Sequence, residues 1–236
     1  MTSKKIPPLL FVLILNLWLF KIFTYSMVIG ITVIMASISV YLSIYEGKKR
    51  YYYISALFIS ILLIFQYKTS SINPLTFLNE NEKIEQQERM RGYPRHFYRF
   101  ANWLEQRKEA LIFYKLQENF FEVMDPNLYF FANHPRERVG VVEYEKFPYI
   151  FLPFLVIGLL SLKKSSFKIL LLSSSPLILL SLIGNSNPMG PFSLFPTLAA
   201  FIAVGLEPIF KNKKYLFVFL MLFSLVFIQT ISYATY

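Results

Sequence analysis

The sequence predicts an all-α fold: a polytopic helical membrane protein with about seven transmembrane helices and one long helical extracytoplasmic loop. Hydrophobic residues make up 55% of the 236 positions and charged residues only 16%, whereas a soluble domain carries roughly a quarter charged residues. The apolar residues also form runs too long for elements of a soluble core. We therefore expect a single integral membrane domain over residues 1–236.

Seven apolar segments account for the predicted spans. The run from residue 6 to residue 45 is long enough for two spans, since one needs about 20 residues. Lys21 and the hydroxyls that follow it interrupt this run, so we interpret Lys21 as a turn marker at the membrane surface. Basic or helix-breaking segments separate the other spans. The predicted spans are 6–23, 25–45, 51–67, 148–162, 169–183, 192–210 and 215–233.

The charges of the short turns predict the orientation. With the N-terminus in the cytoplasm, the inner turns carry 11 Lys and Arg against only Glu46 and Glu207, as the positive-inside rule requires. A net charge of +10 can also indicate nucleic-acid binding. Here the excess lies in the turns, so we expect no nucleic-acid partner and an integral membrane protein with its N-terminus in the cytoplasm.

The long polar segment, residues 68–147, is the predicted outer loop. It is electrically neutral, with twelve Lys and Arg and twelve Asp and Glu. A polar helix is expected from Asn79 to Met90, and a second helix from about Arg95 to Met124. In the second helix, apolar residues at helical spacing should face the bilayer or the bundle, while interleaved bases meet phosphates. These apolar residues are Phe97, Phe100, Leu104, Ile112, Leu116, Phe120 and Met124.

Several chemistries are excluded by composition and motif. The chain has no cysteine, which rules out disulfides and thiolate catalysis. It also lacks a phosphate-cradling glycine loop, an HExxH motif and a nucleophile elbow. The two histidines, His96 and His134, have no metal-ligand spacing. We expect no metal and no cofactor.

An ordered set of short motifs in residues 78–206 carries a resemblance. The order resembles the C-terminal half of multi-span GT-C-type glycosyltransferases, of the dolichyl-phosphate-mannose mannosyltransferase and aminoarabinose transferase type, in a divergent bacterial version. The motifs are Arg91-Gly92-Tyr93-Pro94, Asp125-Pro126-Asn127-Leu128-Tyr129, Pro135-Arg136, Arg138-Val139-Gly140, Phe147-Pro148-Tyr149 and Leu194-Phe195-Pro196.

The resemblance implies transfer of a sugar from a polyprenyl-phosphate carrier at the outer face of the membrane. In that family the catalytic acid lies in the first outer loop. The first outer turn of this chain, around Lys21 to Tyr25, has no Asp or Glu. The turn before span six, at Pro188, also lacks the basic residue of the family. The resemblance thus covers the carrier-side half alone, which implies a partial or accessory protein beside a catalytic membrane subunit of the bacterial cytoplasmic membrane.

The predicted substrate-binding residues are Arg136, Arg138, Arg99 and His134. A lipid-linked phosphate requires fixed cations near the headgroup plane, and the planar fork of Arg binds phosphate bidentately. Arg136 and Arg138 follow Pro135 and precede the fourth span closely. The competing interpretation pairs these arginines with the acids of the loop and with lipid headgroups. No catalytic residue is assigned.

Two other functional classes remain open. A non-enzymatic membrane scaffold would bind a partner through the outer loop. A transporter is less favoured, because the spans carry almost no ionisable residues of the kind that mark ion paths.

The topology is tested by labelling single cysteines, for which the cysteine-free chain needs no background substitution. We expect Gln106→Cys and Ser165→Cys to react with a membrane-impermeant maleimide from opposite sides of intact cells. Reaction of both from one side contradicts the topology.

Overall fold

The computed structural model describes residues 7–72, 74–131, 144–162 and 167–234. These residues form α-helices joined by turns and short 3-10 segments, with no strand among them, which confirms the all-α prediction. The helices are α1 (Pro7–Ile14), α2 (Leu17–Tyr25), α3 (Met27–Glu46), α4 (Lys49–Thr69), α5 (Glu80–Arg91), α6 (Tyr98–Glu105), α7 (Lys108–Met124), α8 (Asn127–Phe130), α9 (Leu152–Leu160), α10 (Phe167–Ile183), α11 (Phe195–Lys211) and α12 (Lys213–Ala234).

Within the described residues, four helices are long and apolar enough to cross a membrane: α3, α4, α11 with its preceding 3-10 turn, and α12. Helices α1 and α2 give a fifth span if the bent pair counts as one. The apolar segments Tyr149–Leu160 and Lys168–Ile183 are shorter. At a rise of 1.5 Å per residue, a 12-residue helix reaches about 18 Å, well short of a bilayer core of about 30 Å.

The first predicted span is broken inside the apolar run. Helices α1 and α2 meet at 63°, because Asn16 ends the first helix and caps the second: its Oδ1 accepts from the Leu19 amide at 2.8 Å. Lys21 then lies within α2, and Ser26 forms the turn into α3. The turn between the first two predicted spans therefore lies at Ser26, directly after the predicted break at Lys21 to Tyr25, and Asn16 adds a bend inside the first span.

Helix α11 is the centre of the bundle and packs against α9, α3 and α1. Its crossing with α9 brings the two backbones into contact. A Cβ added to Gly158 would lie 2.0 Å from the Phe201 carbonyl oxygen, and one added to Gly205 would lie 2.0 Å from that of Phe154. Small residues permit such close approach between membrane helices.

Polar contacts mark two opposite ends of the bundle. At one end, Tyr41 on α3 donates to Glu207 on α11 at 3.2 Å. At the other, Gln66 on α4 accepts from the Ser193 amide before α11 at 3.2 Å. We call these the basic end and the polar end. The described cations of the short connections lie at the basic end: Lys48, Lys49, Arg50, Lys168, Lys211, Lys213 and Lys214.

The predicted polar loop contains helices α5 to α8. The expected polar helix is α5, and Asn79 and Glu82 form its capping box. The expected second helix is divided at Gln106 and Arg107 into α6 and α7, so its predicted continuity from Arg95 to Met124 was wrong. Neither Gly nor Pro marks this break.

The apolar residues of α6 and α7 are only partly covered. Phe97 is 52% exposed and Phe100 57%, while Leu104, Ile112 and Leu116 are half-buried. Helix α7 packs along α10, where the buried Asn119 donates from Nδ2 to the Ser181 carbonyl at 3.0 Å. The polar helices are thus attached to the apolar bundle through α10.

The glycine crossing predicts a stability effect. We expect Gly158→Val and Gly205→Ala to lower the free energy of unfolding by about 1–3 kcal/mol, because each added side chain must push two backbones apart. Gly92→Ala is the matched control, since its nearest contact is 3.4 Å away. The measurement is the thermal unfolding midpoint in detergent. An equal midpoint for all four proteins contradicts the close crossing.

Candidate anion site at the polar end of the bundle

Residues 184–191 form a partly buried turn at the polar end. Gly184 and Gly190 have φ of 74° and 70°, a conformation that favours glycine. Asn187 is 8% exposed; it accepts from the Met189 amide at 2.9 Å and donates to the Thr69 hydroxyl at 2.6 Å. The turn is therefore tied to the end of α4.

Two side chains from other helices satisfy carbonyl groups of this turn. The Trp18 indole on α2 donates to the Met189 carbonyl at 2.7 Å. The Gln66 amide on α4 donates to the Gly190 carbonyl at 3.2 Å and accepts from the Ser193 amide at 3.2 Å. Because a buried backbone group without a partner costs about 1–3 kcal/mol, the bond from Trp18 stabilises the turn. The Gly190 carbonyl also accepts from the Phe192 amide at 2.9 Å.

Aromatic rings close the space around Trp18, which is itself 0% exposed. Its ring centroid lies 5.2 Å from Phe195, 5.7 Å from Phe147 and 6.1 Å from Tyr129. The cluster joins α2, α8, α11 and the segment that precedes α9. It fixes residues 144–148 against the turn 184–191.

Lys146 is a buried cation beside the turn. It is 9% exposed, and its Nζ donates to the Leu128 carbonyl at 2.7 Å. A Cβ added to Gly190 would lie 2.9 Å from Lys146 Cε. Gly190 therefore leaves the room that the lysine side chain occupies.

Lys21 and Lys146 approach the same tyrosine ring. Their Nζ atoms lie 3.3 Å and 5.7 Å from the centroid of Tyr144, so the two nitrogen atoms are at most about 9 Å apart. Burial raises the pKa of the Tyr144 hydroxyl, which keeps it neutral at physiological pH. We call Lys21, Tyr144 and Lys146 the lysine junction.

Among its described residues, the lysine junction contains two cations and one neutral ring. Within the described ranges, no carboxylate lies within ion-pair distance of Lys21. Glu145 instead accepts from the Thr230 hydroxyl on α12 at 2.8 Å. Burial raises the pKa of Glu145, and the bond from Thr230 opposes this rise. Lys21 and Lys146 thus place two ammonium groups near one ring.

The predicted site residues are distributed unevenly. Arg136, Arg138 and His134 lie outside the described residues. Arg99 is exposed on α6, which packs on α5 and α7. The segment 132–143 is flanked by chain that lies at the junction, because the Phe147 amide donates to the Tyr129 carbonyl at 2.8 Å.

Sequence reasoning missed Lys146, Gln66 and the role of Lys21. Each had a local signal: Gln66 and Lys21 are polar residues within apolar runs, and Lys146 lies just before Pro148. Their convergence depends on contacts between residues far apart in the chain, which no periodicity encodes.

The class that this fold defines is an α-helical protein whose described residues include four or five apolar helices long enough to cross a membrane. Comparison with protein-family models, with curated proteins and with solved structures finds no match to the chain.

The raised pKa of Glu145 predicts a pH dependence of stability. The folded protein keeps a proton on Glu145 where the unfolded chain has lost it, so the free energy of unfolding falls as pH rises from the ordinary value of 4.5 through the raised folded value. We expect Glu145→Gln, which keeps an acceptor for Thr230, to reduce this fall. Chemical unfolding at pH 4.5 and pH 7 measures it. Glu88→Gln on α5 is the control for losing one carboxylate, and identical pH profiles for all proteins contradict the prediction.

Proposed function

We propose that the lysine junction binds the phosphate of a lipid carrier. The observation that supports this proposal is that Lys21 and Lys146 both approach the neutral ring of Tyr144. Their Nζ atoms are at most about 9 Å apart. Charge-assisted N–H···O bonds of about 2.8 Å on opposite phosphate oxygens span such a separation. The junction lies beside Pro148, where the chain turns into an apolar segment, so a bound phosphate would have its hydrocarbon chain next to apolar helices.

The proposed carrier is a polyprenyl-phosphate sugar, and the chain is the carrier-side part of a GT-C-type glycosyltransferase. The turn before α11 lacks a basic residue of its own, but Lys146 places its side chain against Gly190 in that turn. Arg136 and Arg138 belong to a segment whose described flanks lie at the junction, and we propose them as further phosphate ligands, with Arg99 and His134 in support.

The proposal assigns no catalytic acid to this chain. Helices α2 and α3 are joined through Ser26 alone, which leaves no space for an acidic first outer loop. Sugar transfer therefore requires a second membrane subunit with that carboxylate. In this assembly the chain binds the carrier and the partner performs the chemistry.

The proposed topology has seven spans, with the polar end outside and the N-terminus in the cytoplasm of a bacterial cell. The described cations of the short connections lie at the basic end, which agrees with the positive-inside rule. The two shorter apolar helices, α9 and α10, are the remaining two of the seven proposed spans, and the residues that connect them to neighbouring elements complete the crossing. Residues 68–147 then form the extracytoplasmic loop.

A scaffold is the second candidate function, and an acidic groove favours it. A groove of about 400 Å³ lies between α5 and α7. The charged residues of its lining are Glu82, Glu85, Arg89, Lys115, Glu118, Glu122 and Asp125. This excess of carboxylates fits a basic segment of a partner protein.

Carrier binding is tested with the purified chain and a short-chain polyprenyl phosphate. One charge-assisted bond contributes about 1.5–3 kcal/mol, so Lys21→Met should weaken binding about tenfold to a hundredfold. The Arg136→Ala/Arg138→Ala double variant should weaken it by about two to four powers of ten if the two contributions add. Lysine at both positions should restore only part of the affinity.

The control for this experiment is Lys83→Met, which removes an exposed lysine from α5. A thermal unfolding midpoint checks the fold of each variant. Equal affinity of wild type and Lys21→Met contradicts the junction as the phosphate site. Absence of binding by the wild type favours the scaffold.

A further inference from the structure

Helix α6 buries a carboxylate and exposes its aromatic side chains. Its buried side consists of Ala101, 1% exposed, and Glu105, 0% exposed, one helical turn apart. Its largest apolar side chains face outward, with Phe100 57% exposed and Trp103 51% exposed. A helix that packs in water buries its aromatic residues and exposes its carboxylates. The opposite arrangement requires an apolar surface outside the helix.

Specific bonds hold α6 in this orientation. The Glu105 carboxylate lies 3.5 Å from the Arg89 guanidinium and accepts from the Tyr114 hydroxyl at 3.2 Å. The Glu105 carbonyl accepts from the Gln86 side chain at 2.6 Å. Rotating α6 to bury Trp103 would break these contacts with both α5 and α7.

The outward side combines aromatic rings with arginines. Trp103 lies between Phe100, 5.7 Å away by ring centroids, and the Arg107 guanidinium, 3.7 Å from its ring. Arg99 is exposed beside them. Residues 95–104 contain Arg95 and Arg99 but no Asp or Glu. Aromatic rings flanked by basic residues are typical of helices that lie in a membrane interface.

We propose that α6 is an anchor on an anionic lipid surface. Phe100 and Trp103 enter the boundary between headgroups and acyl chains, and Arg95, Arg99 and Arg107 contact lipid phosphates. A bilayer is the occupant that the chain itself brings close, since four of its described helices are long and apolar enough to cross one. The cationic and aromatic composition of the face complements anionic lipid, whereas a second copy would oppose arginine to arginine. This anchor does not depend on carrier binding at the lysine junction.

The test is a fluorescent label on α6 in the full-length protein, reconstituted in nanodiscs without any polyprenyl lipid. An environment-sensitive fluorophore on Phe100→Cys is compared with the same label on Gln87→Cys, an exposed position of the polar helix α5. The nanodiscs contain phosphatidylglycerol or phosphatidylcholine, with and without a lipid-borne quencher. We expect blue-shifted emission and quenching at Phe100→Cys in phosphatidylglycerol, and neither at Gln87→Cys.

Neutralising the arginines separates charge from apolar insertion. Arg95→Gln and Arg107→Gln should each lower the preference of the label for anionic over neutral lipid about fivefold, equivalent to about 1 kcal/mol. Lipid quenching that is the same at positions 100 and 87 overturns the anchor. A label at position 100 that is protected from an aqueous quencher but insensitive to the lipid quencher also overturns the anchor, because that result indicates that a second copy of the chain covers the helix.

A label-free measurement guards against misfolding of the cysteine variant. The chain has two tryptophans, and Trp18 is fully buried in the bundle. Brominated lipid should quench the emission of the wild type, and Trp103→Phe should remove most of this quenching. Undiminished quenching in Trp103→Phe overturns the anchor.

Discussion

The backbone of the turn 184–191 has to be hydrogen-bonded inside an apolar bundle, and the polar end of the structure is built around this constraint. Trp18 and Gln66, on two different helices, donate to the carbonyls of Met189 and Gly190. This requirement fixes α2 and α4 relative to α11. It also explains why the first apolar run bends at Asn16, because the bend brings Trp18 to the turn.

Packing at the turn 184–191 also determines where Lys21 and Lys146 lie. Trp18 packs on Phe147, and Tyr144 to Lys146 directly precede Phe147 in the chain. The aromatic cluster therefore positions Lys146 against Gly190 and Tyr144 against Lys21. The positive charge of the junction is therefore a consequence of packing at the turn. A phosphate bound there would meet ammonium groups whose positions are largely set before it arrives, which lowers the entropic cost of binding.

The general architecture was predictable because long apolar runs have few low-energy arrangements other than helices. Helix α5 was predictable as well, since its cap and its polar composition are local. The break between α6 and α7 was not, because it depends on contacts of Glu105 with α5 and α7 and has no Gly or Pro signal. The phosphate-binding region before Pro148 stays a prediction from local arginines. The approach of Lys21 and Lys146 to one ring was not predictable, because it depends on tertiary contacts.

The glycine crossing of α9 and α11 has a mechanical consequence. Two helices that touch through backbone atoms at Gly158 and Gly205 have no side-chain layer between them in which rotamers can adjust. We therefore expect them to move together. On the proposed function, the hydrocarbon chain of the carrier would enter along another seam. Helices α4 and α12, whose apolar side chains are the most exposed of the four long helices, border such seams.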